Sequence, residues 1–209
     1  MTTADIGVPP SYDDPIPDPV ERFGLLLEAA RRVGLDRLPE PTAFALATVG
    51  LDGQPSARML LLKDAGNAGF TFYTNLGSRK ARELLARPAA AMVFHWQPLD
   101  RQVRVEGAIE RVSDEEADAY FATRARGSQI GAWASRQSET MGDPSDLDRR
   151  FAEFETRFAG QTVPRPPHWS GFRLAPKRIE FWISQPSRLH IRHLYSRDAD
   201  RWRLETLYP

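Results

Sequence analysis

The first patterned segment of the chain has the spacing of an amphipathic helix. Apolar residues between Phe23 and Ala30 recur at three- and four-residue intervals, which places them on one buried face. Asp18 is predicted to cap this helix and Gly34 to end it. The preceding residues 1–17 are rich in proline and are expected to form an extended or disordered arm.

From Thr42 onward the hydrophobic pattern changes to the two-residue period of β-strands. The dipeptide Asp52-Gly53 is typical of a hairpin turn between the first two of them. The predicted strands cover residues 44–49, 57–63, 70–74, 91–94, 101–112, 171–174, 178–184, 189–195 and 202–207.

Helices interrupt this series of strands. The pattern predicts short helices after the capping residues Ser78 and Ser113, a turn at 127–128, and a helix between Leu147 and Phe158. Because the strands do not alternate regularly with crossover helices, a doubly wound parallel sheet is disfavoured. We predict a mainly β fold with inserted helices (α+β), closed or nearly closed into a barrel, as a single domain over residues 18–209.

Composition narrows the classes of protein. The 28 basic and 28 acidic residues give a formal net charge of zero, so a general affinity for nucleic acid is not expected. The chain has no cysteine, which excludes disulfides, thiolate nucleophiles and iron–sulfur clusters. The N-terminal residues lack the pattern of a signal peptide, and no apolar run reaches membrane-helix length. We therefore expect a cytoplasmic protein without a membrane segment.

Common catalytic and nucleotide-binding motifs do not occur in the sequence. It contains no G-x-G-x-x-G after a strand, no G-x-x-x-x-G-K-S/T loop and no G-x-S-x-G. His190 and His193 are three residues apart in a predicted strand and would point to opposite faces, so no metal site is expected.

Basic residues grouped with hydroxyl groups are the positive signal. The first group lies around the predicted start of a helix and comprises Arg58, Lys63, Tyr73, Thr74, Ser78, Arg79 and Lys80. A helix N-terminus with such side chains can bind a phosphate. Tyr120, Arg124 and Ser128 form a second group that would bind another phosphate if the first two share a helix face. Solvated surface charges and an exposed helix end are the alternative interpretations.

A third group contains Trp182, Arg188, His190 and Arg192. The last three alternate along a predicted strand and would share one face. Three basic side chains on one face favour an anionic or flat ligand opposite them, although exposure to solvent would also relieve their repulsion.

Most residues of these groups fall within sequence words that resemble the pyridoxine/pyridoxamine 5′-phosphate oxidase family. The matching words run in one order from about the first helix to the C-terminus. They are Arg58-Met59-Leu60-Leu61-Leu62-Lys63, Phe72-Tyr73-Thr74-Asn75, Gly77-Ser78-Arg79-Lys80, Arg101-Gln102-Val103, Gly127-Ser128-Gln129-Ile130-Gly131, Gln137-Ser138, Pro166-Pro167-His168-Trp169, Ile179-Glu180-Phe181-Trp182 and Arg188-Leu189-His190.

The resemblance implies an FMN-binding split β-barrel, a homodimer with FMN between its two chains. It implies that FMN is bound by Arg58, Met59, Leu60, Leu61, Leu62, Lys63, Tyr73, Thr74, Arg79, Lys80, Gln102, Gln137, Ser138, Trp182 and Arg192. It implies that the substrate is bound by Lys63, Tyr120, Arg124, Ser128, Arg188 and His190, of which we expect Arg188 and His190 to act on the reacting group. The implied reaction is oxidation of pyridoxamine or pyridoxine 5′-phosphate to pyridoxal 5′-phosphate, with oxygen reduced to hydrogen peroxide.

Among the departures from the family's usual words, two lie beside residues of the third group. Ile183 follows Trp182 where the family has glutamine, and Ile191 follows His190 where it has aspartate. These changes keep two other hypotheses open: a related flavin oxidase that acts on another amine or ring, and a non-enzymatic module that binds flavin or pyridoxal phosphate.

Overall fold

The computed structural model describes residues 15–209, and most of the predicted arm over residues 1–17 lies outside this range. The described part contains five α-helices and nine strands. The helices are α1 (Pro19–Arg32), α2 (Arg79–Ala86), α3 (Asp114–Ala122), α4 (Arg126–Ala134) and α5 (Asp146–Arg157). The strands are β1 (Ala43–Val49), β2 (Pro55–Leu61), β3 (Asp64–Gly66), β4 (Gly69–Asn75), β5 (Ala89–Trp96), β6 (Arg101–Arg111), β7 (Trp169–Ile183), β8 (Ile191–Asp198) and β9 (Arg201–Leu207).

All nine strands join one sheet in which the described pairings are antiparallel. Its main path is β2-β1-β5-β6-β7-β4-β3, and β8 and β9 extend it from β7. This arrangement confirms the predicted fold of mainly β structure with inserted helices. Within the described residues, no helix is both long and apolar enough to cross a membrane.

The 15-residue strand β7 organises the sheet. It pairs with β6 along most of its length, while its first half pairs with β4 and its second half with β8. A bulge opposite Gly107 lets β7 bend between these halves. The two strands predicted at 171–174 and 178–184 are therefore one continuous strand.

The apolar inner face of the sheet packs around α1. The ring of Phe23 lies edge-on to those of Phe70 and Phe94, each at 4.9 Å between centroids. Asp18 caps this helix as predicted, since its carboxylate accepts a hydrogen bond from the Val20 N–H at 2.8 Å. The buried face of this helix is thus part of the main core of the molecule.

Helices α3, α4 and α5 build a second, smaller core. Phe121, Ile130 and Phe154 are buried there against Trp169, the first residue of β7. The turn predicted at 127–128 is the first part of α4, so that prediction was too short. Both cores meet at β4 and β7, and the candidate side chains lie along these strands.

Candidate functional site

The first basic group centres on the buried ammonium group of Lys80. This group donates hydrogen bonds to Thr74 Oγ1 at 3.1 Å, Ser78 Oγ at 3.2 Å and Gln137 Oε1 at 2.8 Å. All three acceptors are uncharged. Burial and, as the smaller cause, the nearby positive charge of Arg58 together lower the pKa of Lys80 to about 8.

Glu83 holds the two arginines of this group. Its carboxylate lies 2.8 Å from Arg79 Nε and 3.3 Å from Arg58 Nη2. Burial by itself would raise the pKa of Glu83, but hydrogen bonds from Thr48, Ser56 and Arg79 outweigh it and hold the pKa at about 2. Three cations and one carboxylate leave two positive charges, which match the charge of a phosphate monoester dianion.

Helix α2 begins at the centre of this group. Ser78 caps it, and the hydroxyl of Ser78 accepts a hydrogen bond from the Ala81 N–H. Arg79 and Lys80 are its first two residues, so the N-terminal backbone N–H groups add to the positive potential around the two side chains. The structure thus places basic side chains at this helix start, and the phosphate site predicted there stays a prediction.

The second group is an aromatic stack with an arginine on it. Tyr73 is parallel to Tyr120 at 4.0 Å and to Trp169 at 5.3 Å between ring centroids. The Arg124 guanidinium lies 4.9 Å above the Trp169 ring, and its buried Nη1 has no hydrogen-bond partner within residues 15–209. Burial also raises the pKa of Tyr73 to about 12, with the negative charge of Glu116 as the next cause, so its phenol keeps its proton.

The condition that Tyr120 and Arg124 share a helix face is not met, because α3 ends at Ala122. Arg124 instead follows the helix in a turn, with its N–H bonded to the Phe121 carbonyl. Both side chains nevertheless contact Trp169, which joins them into one group. Trp169 belongs to one of the matching sequence words, but its role as the base of the stack needed the structure.

The prediction that Arg188, His190 and Arg192 share one strand face is wrong. Strand β8 begins only at Ile191, and Arg188 ends a short 3-10 turn. Ser187 and Arg188 have left-handed backbone angles, with φ of 58° and 62°, which interrupt an extended strand. Arg188 and His190 therefore lie in the connection before β8, and alternation along a strand does not apply to them.

His190 is oriented by its neighbours. Its ring lies 4.4 Å from the Trp182 ring, and its Nδ1 accepts a hydrogen bond from the Gln185 N–H at 3.1 Å. A neutral imidazole in this arrangement carries its proton on Nε2. Ile183 and Ile191, the two departures from the family's words, are direct cross-strand partners just before and after this connection.

Gln102, Trp182 and Arg192 form a row across three strands. Gln102 pairs with Trp182 between β6 and β7, and Trp182 pairs with Arg192 between β7 and β8. Directly paired residues project from the same face of a sheet, so the sheet brings these three together as the resemblance implied. Arg192 is bonded to Glu180 at 2.8 Å, and this hydrogen bond raises its pKa.

The remaining predicted residues differ in their exposure to solvent. Along β2, Met59 and Leu61 are exposed, Leu60 packs partly on the core, and Leu62 just beyond the strand is buried. Lys63 and Ser128 are exposed, and Ser138, next to Gln137, has a left-handed φ of 73°. Sequence reasoning gave no role to Glu83 and Glu180, although the four-residue spacing of Glu83 from Arg79 is a signal for an ion pair.

Comparison with known proteins agrees with this picture. A family model described as pyridoxamine 5′-phosphate oxidase matches residues 34–183, and one described as the pyridoxine 5′-phosphate oxidase C-terminal dimerisation region matches residues 169–209. A pyridoxine/pyridoxamine 5′-phosphate oxidase from Myxococcus xanthus (strain DK1622) is 58% identical over 92% of each chain. The protein of the same name from Rubrobacter xylanophilus is 55% identical over 92% of this chain and 88% of its own.

Solved structures show the same fold. PhzG from Burkholderia lata 383, in complex with tetrahydrophenazine-1-carboxylic acid, has a TM-score of 0.88 and 33% identity over 96% of each chain. A pyridoxamine 5′-phosphate oxidase-related, FMN binding protein from Nostoc punctiforme has a TM-score of 0.71 at 17% identity, over 90% of this chain and 96% of its own. These neighbours confirm the predicted split-barrel fold. The chain belongs to the pyridoxamine 5′-phosphate oxidase family.

Proposed function

We propose that this protein is an FMN-dependent oxidase of vitamin B6 phosphates. It converts pyridoxamine 5′-phosphate or pyridoxine 5′-phosphate to pyridoxal 5′-phosphate and reduces oxygen to hydrogen peroxide. The family match and the 55–58% identity to proteins named for this activity support the reaction. The observation that carries the proposal at the level of residues is a pair of basic groups within one chain, one around Lys80 and one around Arg124, and we propose that each binds a phosphate.

FMN is held at its phosphate by the group around Lys80. This ammonium group is buried among uncharged oxygens, and together with Arg58, Arg79 and Glu83 it leaves two positive charges. Burying such an excess is costly unless an anion balances it, so the site fits a phosphate monoester. When bound, FMN supplies the acceptor for the hydride that leaves the substrate carbon.

The wider flavin site comprises the other residues that the resemblance implies. They are Met59, Leu60, Leu61, Leu62, Lys63, Tyr73, Thr74, Gln102, Gln137, Ser138, Trp182 and Arg192. Gln137 accepts a hydrogen bond from Lys80, the residue proposed to bind the FMN phosphate. Gln102, Trp182 and Arg192 instead form the row on the sheet. The two sets would contact different parts of the flavin.

The substrate phosphate is bound by the group around Arg124. A buried guanidinium nitrogen without a partner in the described chain is a vacant donor for an anion, and the Tyr120 hydroxyl lies in the same aromatic stack. Ser128 and Lys63 complete this site in the proposal. Desolvation lowers the pKa of Arg124, which an anion would offset.

Arg188 and His190 act at the reacting end of the substrate. The Gln185 N–H and the Trp182 ring fix the His190 imidazole, so its Nε2–H is a directed hydrogen-bond donor. Arg188 adds a positive charge on an exposed turn whose left-handed backbone sets its direction. Neither is asked to act as a strong nucleophile, because the flavin supplies the redox chemistry.

The protein is a homodimer, and we propose that each flavin site uses both chains. The dimerisation region that matches residues 169–209 contains Arg188, His190 and Arg192. Within residues 15–209 of one chain, no hydrogen bond or ion pair joins these residues to the group around Lys80. The cytoplasmic location expected from the sequence stays a prediction.

A direct assay tests this function. Purified protein, reconstituted with FMN if needed, is expected to be yellow and to form pyridoxal 5′-phosphate and hydrogen peroxide from pyridoxamine 5′-phosphate. Protein that binds FMN but turns over neither vitamin B6 phosphate would favour a flavin oxidase of another amine or ring, or a binding module. Protein that does not take up FMN at all would overturn every interpretation in which the protein binds flavin.

A further inference from the structure

We propose that Glu180 is a positioning residue that fixes the guanidinium group of Arg192 for its contact with FMN. Glu180 would touch neither flavin nor substrate and would act through Arg192 alone. The inference rests on the proposed function, in which Arg192 binds the cofactor, and it adds a residue to which neither the family resemblance nor the sequence motifs give a role.

Two contacts on different nitrogens fix the plane of the Arg192 guanidinium. Its Nε donates to Glu180 Oε1 at 2.8 Å, and its Nη1 donates to the backbone carbonyl of Tyr208 at 2.9 Å. Neither contact uses Nη2. Because an arginine fork binds best when its plane is fixed in advance, this arrangement leaves Nη2, held in a fixed plane, to donate to a ligand.

Glu180 is itself firmly held. It is 7% exposed, and its second oxygen accepts a hydrogen bond from Arg104 Nη1 at 3.3 Å. Arg104 is its direct cross-strand partner and also bonds Glu106, which in turn lies near Arg178. The carboxylate therefore has arginines on two sides and little room to move.

A mainly structural role explains this network less well. A buried carboxylate between two arginines contributes little net stability, since desolvation of the charges offsets their attraction. The network leads from the outer residues Arg178 and Glu106 to Arg192, which is the member paired across the sheet with Trp182. Placement of one cation next to a bound ring is therefore the benefit that its geometry indicates.

The test is a double-mutant cycle on FMN affinity. The dissociation constant of FMN is measured by titration of the apoprotein of the parent, Glu180→Gln, Arg192→Ala and the double variant. We expect Glu180→Gln to weaken FMN binding about five- to tenfold. The reason is that Arg192 would keep its charge but lose its fixed orientation toward FMN. In the Arg192→Ala background the same substitution should change affinity less than about twofold, because its effect passes through Arg192.

Glu106→Gln is the matched control. Glu106 belongs to the same ion-pair network but contacts Arg104 and Arg178 rather than Arg192. We expect its FMN affinity and the visible circular dichroism of its bound flavin to match the parent. The flavin spectrum of Glu180→Gln should instead shift toward that of Arg192→Ala, a change that a general loss of stability would not produce.

The outcomes separate this inference from the proposed function. Weaker FMN binding in Arg192→Ala with parental binding in Glu180→Gln would overturn the positioning role and leave the function intact. An equal effect of Glu180→Gln in both backgrounds would also overturn it, as a purely structural effect. Parental binding in Arg192→Ala would remove Arg192 from the flavin site and the inference with it, while the turnover assay would still test the function.

A second variant covers the case in which Glu180→Gln does not fold. Glu180→Asp keeps the charge but withdraws the carboxylate by one methylene group from Arg192 Nε. We expect its FMN affinity to lie between those of the parent and Arg192→Ala, again with little effect in the Arg192→Ala background. Parental affinity and a parental flavin spectrum in Glu180→Asp would overturn the proposal.

Discussion

At the scale of single residues, Lys80 gives the clearest link between environment and ligand. Its buried ammonium group contacts uncharged oxygens, and its pKa of about 8 lies below the ordinary value of 10.5. A bound phosphate favours the charged ammonium form. The free protein must therefore pick up a proton at Lys80 to bind FMN once the pH exceeds about 8.

This protonation makes FMN affinity dependent on pH. We expect the dissociation constant of FMN to be nearly constant below about pH 7.5, to rise through pH 8 and to approach a slope of about tenfold per pH unit above it. A phosphate monoester is already a dianion over this range, so the ligand adds no change of its own. Titrations from pH 7 to 9.5 measure the profile, and Lys80→Met should weaken FMN and flatten it. An equally steep rise in Lys80→Met would contradict the assignment.

Arg79 and Arg124 should affect different ligands. Each is proposed to contribute one charge-assisted contact of about 1.5–3 kcal/mol, equivalent to about ten- to a hundredfold in affinity. Arg124→Ala is expected to raise KM for pyridoxamine 5′-phosphate by that factor and to keep FMN affinity. Arg79→Ala is expected to do the reverse. Steady-state kinetics at saturating FMN measure KM, and titrations measure FMN affinity. If the two effects are exchanged, or if each variant changes both quantities, the two anion sites are assigned incorrectly.

At the scale of elements, the bulge between β6 and β7 depends on Gly107. A Cβ atom at this position would lie 2.0 Å from the Ala175 carbonyl oxygen, which is backbone and has little freedom to move. We expect Gly107→Ala to lower the free energy of unfolding by about 1–3 kcal/mol, through forced displacement of β7. Denaturant unfolding of the apoprotein measures this effect.

Gly24 offers the matched control for that substitution. It lies inside α1, and a Cβ atom there would meet nothing within 4 Å. Gly24→Ala should therefore leave stability unchanged or raise it by about 0.5–1 kcal/mol, since alanine is the better helix former. A parental free energy of unfolding in Gly107→Ala would mean that the bulge tolerates a side chain, and similar losses in both variants would mean that the loss is not specific to the bulge.

The elements also show what sequence patterns could and could not predict. Strong local signals placed α1 and α2 and their caps correctly, because Asp18 and Ser78 act on neighbouring backbone groups. Helix α4 was predicted only as a turn, since its two glycines weaken its helix propensity and its stability comes from packing in the second core. The continuity of β7 depends on a bulge that involves another strand, which a local pattern does not contain.

Sequence patterns likewise predicted some residues of the candidate site and missed others. Lys80 and Arg124 were predicted because each stands close in sequence to other basic or hydroxyl-bearing residues, and the structure groups each with predicted neighbours. Glu180 received no role, because its partners Arg104 and Arg192 are distant in sequence and meet it only across the sheet. The alternation predicted for Arg188 failed because a left-handed turn separates it from β8.

At the scale of the whole molecule, the two proposed anion sites of one chain start from neighbouring residues of β4. Thr74 contacts Lys80, whereas the next residue toward the N-terminus, Tyr73, stacks on Tyr120. Successive residues of a strand point to opposite faces, so the side chains of Thr74 and Tyr73 leave β4 on opposite sides. Flavin and substrate must nevertheless be in contact to exchange a hydride. We infer that the partner chain supplies the complementary set of residues.

Exposed apolar residues on β2 agree with this inference. This strand is at one edge of the sheet, and its Met59 side chain is 64% exposed. An edge strand with exposed apolar side chains favours association unless it is covered. Since Met59 and Leu61 belong to the proposed flavin site, dimer formation and FMN binding should support each other.

The resulting prediction is that FMN and dimer formation are thermodynamically linked. A ligand that binds only the dimer stabilises it, by about 2.7 kcal/mol at a hundred times its dissociation constant. We expect dilution of the holoprotein to release FMN as the dimer dissociates, and excess FMN to shift dissociation to lower protein concentration. Light scattering and flavin fluorescence over one dilution series measure both events. A monomer that retains FMN with parental affinity would contradict a site built from two chains, whereas coincident loss of dimer and flavin would be the signature of a shared site.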